Sequence, residues 1–204
     1  ARICFWDCDL LFTGTRSSEP IYNIPHWRVR SRSKGGVHPF GTGAWRGPGS
    51  NTNVFAMESH SDILAQAAGM DPLSFRMKNL TDERMIRVLT RAADTFGHSF
   101  VKSPSGMGYG IACTNYLNSY VATIAHVTVN PSTGQVKVER VVCAQDMGLV
   151  INPDGARMQA TIFGTGEHLR ALALQYAELL LQVVGQRQVE LVAAEDQVLA
   201  DGDA

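Results

Sequence analysis

The stretch Gly41–Glu58, GTGAWRGPGSNTNVFAME, gathers residue types suited to hold a polar ligand. It sets Trp45, Arg46 and Pro48 among four glycines. Glycine lets a backbone approach a ligand closely and take φ > 0. Pro48 fixes one dihedral between two of those glycines. Arg46 offers a planar fork of donors for an anionic or oxo-bearing group. The run then passes into an apolar segment that reads as helix, and N–H groups ahead of a helix favour negative charge. A flat aromatic, a fixed cation and exposed amides make a cradle for a polar, phosphorylated cofactor. On composition alone the competing reading is a glycine-rich turn with Arg46 paired to a surface carboxylate, the commoner fate of Gly/Pro clusters.

Other chemistries find less support. The four cysteines stand at 4, 8, 113 and 143, and Cys4 with Cys8 has no second pair to complete a tetrahedral metal site. All four read as buried or semi-buried thiols, which suits a reducing compartment and a cytoplasmic location. The six histidines show no H-x-x-x-H or H-E-x-x-H spacing, so no metal ligands are expected from the protein. No G-x-S-x-G elbow supports serine hydrolysis. Gly106–Gly110, GMGYG, lies in the wrong context for a dinucleotide. The net charge of −1 gives no reason to expect nucleic acid, and no apolar run is long enough to span a bilayer. With 204 residues, 45% hydrophobic and 18% charged, the chain can build one sizeable core.

The elements that would position these groups give an α+β class. Ile3–Phe12 reads as a strand, Thr13–Pro20 as turns, Ile21–Val29 as extended with Pro25 at an edge, and Ser31–Pro39 as a polar loop. A first helix is expected over about Val54–Ala68, burying Ile63, Leu64 and Ala67/Ala68, with Gly69 closing it. Asp71 and Pro72 cap and open a second helix, and Glu83–Phe96 makes a third ending at Gly97. Glu58, Asp62, Arg76 and Arg84 read as solvated or paired helix charges. Tyr120–Val129 and Gln135–Val142 read as a hairpin joined by NPSTG, with Ile124 and His126 on one face and Ala125, Val127 and Val129 on the other. His126 reads as a strand histidine without a ligand role. Asn152 and Pro153 start a further helix. Glu167–Val184 is rich in Ala and Leu and favours helix, and Val189–Ala204 reads as an acidic, frayed tail.

The order of residues adds a resemblance. Gly43–Gly49, GAWRGPG, fits a G-[AT]-[FYW]-R-G-x-G loop; Glu58–Asp62 fits an E-x-x-x-D helix; Gly69–Leu80 fits G-x-D-P-x-x-[FL]-R-x-x-N-[LM]. Downstream, Val138–Gln159 fits V-x-x-x-x-x-A-x-D-x-G-x-x-[IVL]-N-P-x-x-x-x-x-Q. In these segments the chain resembles the molybdopterin-binding large subunits of the molybdenum hydroxylases, the xanthine dehydrogenase, aldehyde oxidase and carbon monoxide dehydrogenase family. Upstream, FWDCDLLFTGTRSSEPIYNIPHWRV is similar to the branch acting on nicotinate and isoquinoline.

The resemblance implies a molybdenum cofactor held by a pterin and shared with parts of the subunit outside this chain, and hydroxylation of an N-heterocycle or aldehyde with oxygen taken from water. It implies cofactor contacts at Trp45, Arg46, Gly47, Gly49 and Gln159. Iron–sulfur subunits, and flavin or cytochrome ones, would carry the electrons away. For this branch it also leaves a periplasmic location open. Pro48 stands where purine-hydroxylating relatives carry a Phe, which argues against a xanthine-like pocket. No position matches the family's catalytic Glu, and Glu167, in off-family sequence, is not assigned that role. The resemblance stops near residue 160, so the expected division is 1–160 as part of a molybdopterin-binding domain and 161–204 as an off-family helix and tail. The chain is accordingly expected to be a fragment of such a subunit, inactive alone; the alternative is a non-catalytic remnant or interaction module that keeps the fold.

Overall fold

The computed structural model describes residues 1–11, 14–32, 47–97 and 106–158, and the backbone of 189–193. Ten elements follow in order: β1 (Phe5–Leu10), β2 (His26–Ser31), α1 (Ser50–Ala67), α2 (Pro72–Asn79), α3 (Glu83–Phe96), β3 (Met107–Tyr116), β4 (Ser119–Val129), β5 (Val136–Asp146), α4 (Pro153–Met158) and β6 (Val189–Ala193). β1 and β2 form a parallel pair, and the second sheet runs β3-β4-β5-β6. The class is the expected α+β.

β3, β4 and β5 are antiparallel neighbours, and β6 joins β5 in parallel. Alternation along the strands gives the sheet two apolar faces. Ile111, Cys113, Ala122, Ile124 and Ala144 pack with Met85, Val88, Leu89 and Ala92 of α3, while Ala112, Ala125, Val136, Val138 and Val141 form a second cluster. Along β5, Val138 and Val141 share that cluster although they are three positions apart, because the register slips one residue between His126 and Val127 of β4. The bulge takes up Glu139 as the extra residue and restores the inward face.

The helix limits follow local chemistry. Asp71 accepts from Ser74 N–H at 2.7 Å with Pro72 behind it, and Asp82 accepts from Arg84 and Met85 N–H at 2.9 and 3.1 Å. Gly69 and Gly97 end α1 and α3 in left-handed backbone, at φ 63° and 69°. NPSTG connects the expected hairpin, and Asn130 Oδ1 accepts from Ser132 and Thr133 N–H.

Five expectations need correction. The helix α1 begins at Ser50, four residues before Val54, because Gly47 and Gly49 O accept from Asn51 and Asn53 N–H and close the first turn. Its buried face is Ser50, Asn53, Val54, Met57, Glu58, Ser61 and Ala65, while Ile63 is 58% exposed and Ala67 and Ala68 face solvent. A polar stripe won over the apolar one because polar partners from other parts of the chain meet it. The second strand starts after Pro25, at His26, and not at Ile21. Cys4 is exposed because it lies ahead of β1, outside the strand alternation that turns Trp6, Cys8 and Leu10 inward, and there Ile3 is the buried residue. Val189–Ala193 pairs with Val141–Gln145 rather than fraying. The expected helix Glu167–Val184 lies outside the described residues.

Candidate functional site

The start of α1 is the described edge of the candidate cofactor loop. Gly47 and Gly49 have φ of 63° and 76°, conformations that glycine takes without strain. Gly49 occupies the cap position and no side chain caps the helix. In the first turn Asn51 and Asn53 N–H are taken by Gly47 and Gly49 O, and Thr52 N–H by Asn51 Oδ1; what is left to approach a polar group is the glycine backbone ahead of the helix. Trp45, Arg46 and Gln159 lie outside the described residues.

Below this loop, α1 is fastened at two levels. In its first turn, Asn53 Nδ2 donates to Gly14 O and Arg16 O at 3.0 and 2.9 Å, and Ser50 Oγ donates to Ser17 Oγ at 2.8 Å. The clamped turn carries Ser17 at φ 51°, rare for a residue with a side chain. Arg16, on the same turn, donates to Tyr116 Oη at 2.6 Å. Two turns further along, Glu58 is buried. Its Oε1 accepts from Tyr22 Oη at 2.6 Å, and its Oε2 from Arg76 Nε at 3.0 Å and Cys113 N–H at 2.8 Å. Arg76 also donates to Asp62, Pro72 O and Glu58 O. Between these levels runs a narrow crevice lined by Ser17, Glu19, Val54, Glu58, Cys113 and Thr114.

Burial pushes the Tyr22 hydroxyl and the Cys113 thiol well above their usual ranges, so both stay protonated. Burial acts against the Arg76 cation, but the charge of Glu58, with that of Asp62 behind it, outweighs this and raises its pKa. The charges expected to be solvated or paired are thus paired, and Glu58 and Arg76 are not solvated. The G-x-D-P segment is a structural staple throughout. Asp71 caps, Phe75 and Leu80 fill the core, and Asn79 Oδ1 accepts from Ile3 N–H at 2.8 Å.

The downstream motif has its own anchor. Asp146 accepts two bonds from Arg84, at 2.7 and 3.0 Å, and one from Gly148 N–H at 3.0 Å. Those hydrogen bonds from Arg84, ahead of the opposing cost of burial, hold its carboxyl below the ordinary range. Arg84 also lies over the Tyr120 ring at 4.3 Å. Asn152 Oδ1 then accepts from Gly155 N–H at 2.9 Å and starts α4. From sequence Thr13–Pro20 reads as turns and Cys113 as a buried or semi-buried thiol, but the clamp of Asn53 on Gly14–Ser17 and the meeting of Tyr22 and Cys113 at Glu58 escaped the sequence reading. A signal did exist for Asn53, a polar residue at i+3 from Ser50 and i−4 from Met57 on one helix face. Tyr22 and Cys113 carried none. Among the described residues, no group of His, Cys, Asp and Glu could hold a metal ion, and no helix is long and apolar enough to cross a membrane.

Comparison with known proteins agrees with this reading of the motifs. Two molybdopterin cofactor-binding domain families match the chain, one over residues 8–80 and the other over 65–166. A nicotinate dehydrogenase subunit of Pseudomonas putida is 34% identical over 163 residues, covering 72% of this chain and 14% of that protein. An isoquinoline 1-oxidoreductase subunit of Brevundimonas diminuta is 36% identical over 118 residues, covering 56% and 15%. The chain therefore spans about a seventh of the length of these curated relatives. The aldehyde oxidoreductase of Desulfovibrio desulfuricans superposes with a TM-score of 0.60 at 12% identity, over 94% of this chain and 41% of that one, a likeness of fold. The chain belongs to the molybdopterin cofactor-binding domain family of the xanthine dehydrogenase and aldehyde oxidase type.

Proposed function

We propose that the chain forms part of the cofactor-binding face of a molybdenum hydroxylase large subunit acting on an N-heterocycle or an aldehyde. The observation that carries this reading is the succession of two molybdopterin cofactor-binding matches in one chain, at residues 8–80 and 65–166. The relatives named for nicotinate and isoquinoline favour an N-heterocycle. The cofactor, when bound, supplies the oxygen-atom and electron chemistry; the protein supplies position and charge. In this reading Gly47 and Gly49 bring the backbone close, Arg46 adds a fixed cation, Trp45 a flat wall, and Gln159 a further polar contact. Partner subunits with iron–sulfur clusters, and a flavin or a cytochrome, would take the electrons. The four free cysteines suit a reducing, cytoplasmic compartment. Segments 1–160 and 161–204 are read as cofactor domain and off-family extension.

The test is binding. The purified chain is incubated with molybdenum cofactor, and bound molybdenum and pterin fluorescence are measured after desalting. Retention that falls at least tenfold in Arg46→Ala supports the reading; a folded chain that retains neither metal nor pterin overturns it. With no base equivalent to the family's catalytic Glu, the 204-residue chain should bind without turning over nicotinate, isoquinoline or aldehydes. Loss of a general base typically lowers rate by about 10²–10⁴.

A further inference from the structure

We infer that Glu58 is a positioning residue: through its buried pair with Arg76 it sets the axial position of α1, and with it the glycine loop at the start of that helix. This rests on the reading of Gly47–Gly49 as a cofactor loop. Glu58 lies nine residues beyond Gly49, roughly 13 Å along a helix rising 1.5 Å per residue. It therefore touches no bound group and acts only through the helix.

Three observations carry the inference. The first is convergence. One carboxylate accepts from Tyr22, from the β3 backbone at Cys113 and from Arg76 of α2, while Arg76 also donates to Glu58's own carbonyl at 3.1 Å. Side chain and main chain of α1 are thus held by three separate parts of the molecule. The second is the character of the buried face of α1. Ser50, Asn53, Glu58 and Ser61 are buried while Ile63 is exposed. Apolar contacts tolerate sliding, whereas hydrogen bonds are lost outside a narrow range of distance and angle. The third is energetic. The Arg76 and Glu58 side chains are 0% and 5% exposed. A pair this buried costs much of its attraction in desolvation, and apolar replacement of both partners is often neutral or stabilising. Stability alone therefore does not account for the pair. What an apolar pair could not reproduce is the fixed register among α1, α2 and β3.

The experiment separates register from stability. In the full 204-residue chain, the paired substitution Glu58→Met with Arg76→Met removes both buried charges at similar volume. Phe75→Leu, in the same core but outside the network, is the control for general destabilisation. Melting temperature, amide hydrogen exchange over Gly47–Asn53 without cofactor, and cofactor retention are measured for each. The expected result is a paired variant that melts cooperatively but below the parent, because Cys113 N–H and Tyr22 Oη lose their acceptor, exchanges these amides about tenfold faster or more relative to the rest of the core, and retains the cofactor at least tenfold less well. Phe75→Leu should lower the melting temperature and leave the exchange of this stretch as slow, relative to the rest of the core, as in the parent. Parental exchange in the paired variant, or the same loosening in Phe75→Leu, overturns the inference. If the paired variant does not fold, Glu58→Gln, which keeps an acceptor for Cys113 N–H, takes its place with the same expected loosening and the same overturning result. Failure of the unaltered chain to retain cofactor would sink the loop reading alone, and the exchange measurement would still decide whether Glu58 sets the helix.

Discussion

Single residues of the matched motifs act inward. Asn79 is 2% exposed and satisfies Ile3 N–H while its own Nδ2 donates to Phe75 O at 2.7 Å. Asn79→Ala strands a buried backbone donor and should cost about 1–3 kcal/mol, read as a lower midpoint in urea without a change of slope. Asp146 gives a pH-dependent case. Its pKa is depressed in the folded chain, so its stabilisation is present above the unfolded value near 4 and lost as pH falls through the folded value. Asp146→Asn should therefore cost about 1 kcal/mol at pH 7, the scale of a partly buried bidentate pair. The gap between parent and variant should close in acid denaturation curves below about pH 4; a gap that widens there would contradict the assignment. The sequence showed that Arg76, Glu58 and Asp146 stand in patterned positions. It could not show that their partners are one another, Tyr22 and Arg84, because those pairings join residues that only the fold brings together.

Elements were legible where their ends carry local chemistry. The second and third helices are fixed by Asp71 with Pro72 and by Asp82 with Gly97, groups that act within a turn of themselves. The hairpin β4–β5 was legible from period and turn residues. The hairpin β3–β4 was not. Its two-residue turn is Leu117–Asn118, with φ of 51° and 62°, and leucine carries no turn signal. Tyr116 pairs with Ser119 across it, the geometry of a primed turn that prefers Asn-Gly. Leu117 is 78% exposed, so it packs against little. Replacing Leu117–Asn118 by Asn-Gly should raise stability by about 1 kcal/mol, seen as a higher melting temperature. An unchanged or lower one would show that Leu117 has a partner that its exposure hides. α1 misled for the opposite reason. Its apolar residues suggested one inner face, but the polar partners that bury the other face come from residues 14–22 and 76, far along the chain.

At the scale of the molecule, the most exposed large apolar side chains among the described residues lie in one segment, although Phe5, Leu11, Trp27, Ile63 and Leu117 are exposed elsewhere. Leu149 and Ile151 are 91% and 92% exposed, and Met158 is 55% exposed, all between the Asp146 anchor and the end of α4. The anchor explains why they stay out. Arg84 and Gly148 hold Asp146, and Asn152 then redirects the chain into α4, so the intervening residues cannot fold back onto the sheet without breaking those bonds. Full burial of one such side chain is worth about 1.5–3 kcal/mol, and exposed apolar patches drive association. The chain should therefore self-associate at high concentration, with a weight-average sedimentation coefficient that rises with loading. Leu149→Ser with Ile151→Ser should flatten that dependence while leaving the melting temperature of the dilute protein within about 2 °C, because exposed side chains contribute little to the fold. A double variant that still associates as strongly would place the sticky surface elsewhere. One that unfolds would mean that Leu149 and Ile151 are packed in solution, and that the path from Asp146 to α4 differs from the one described.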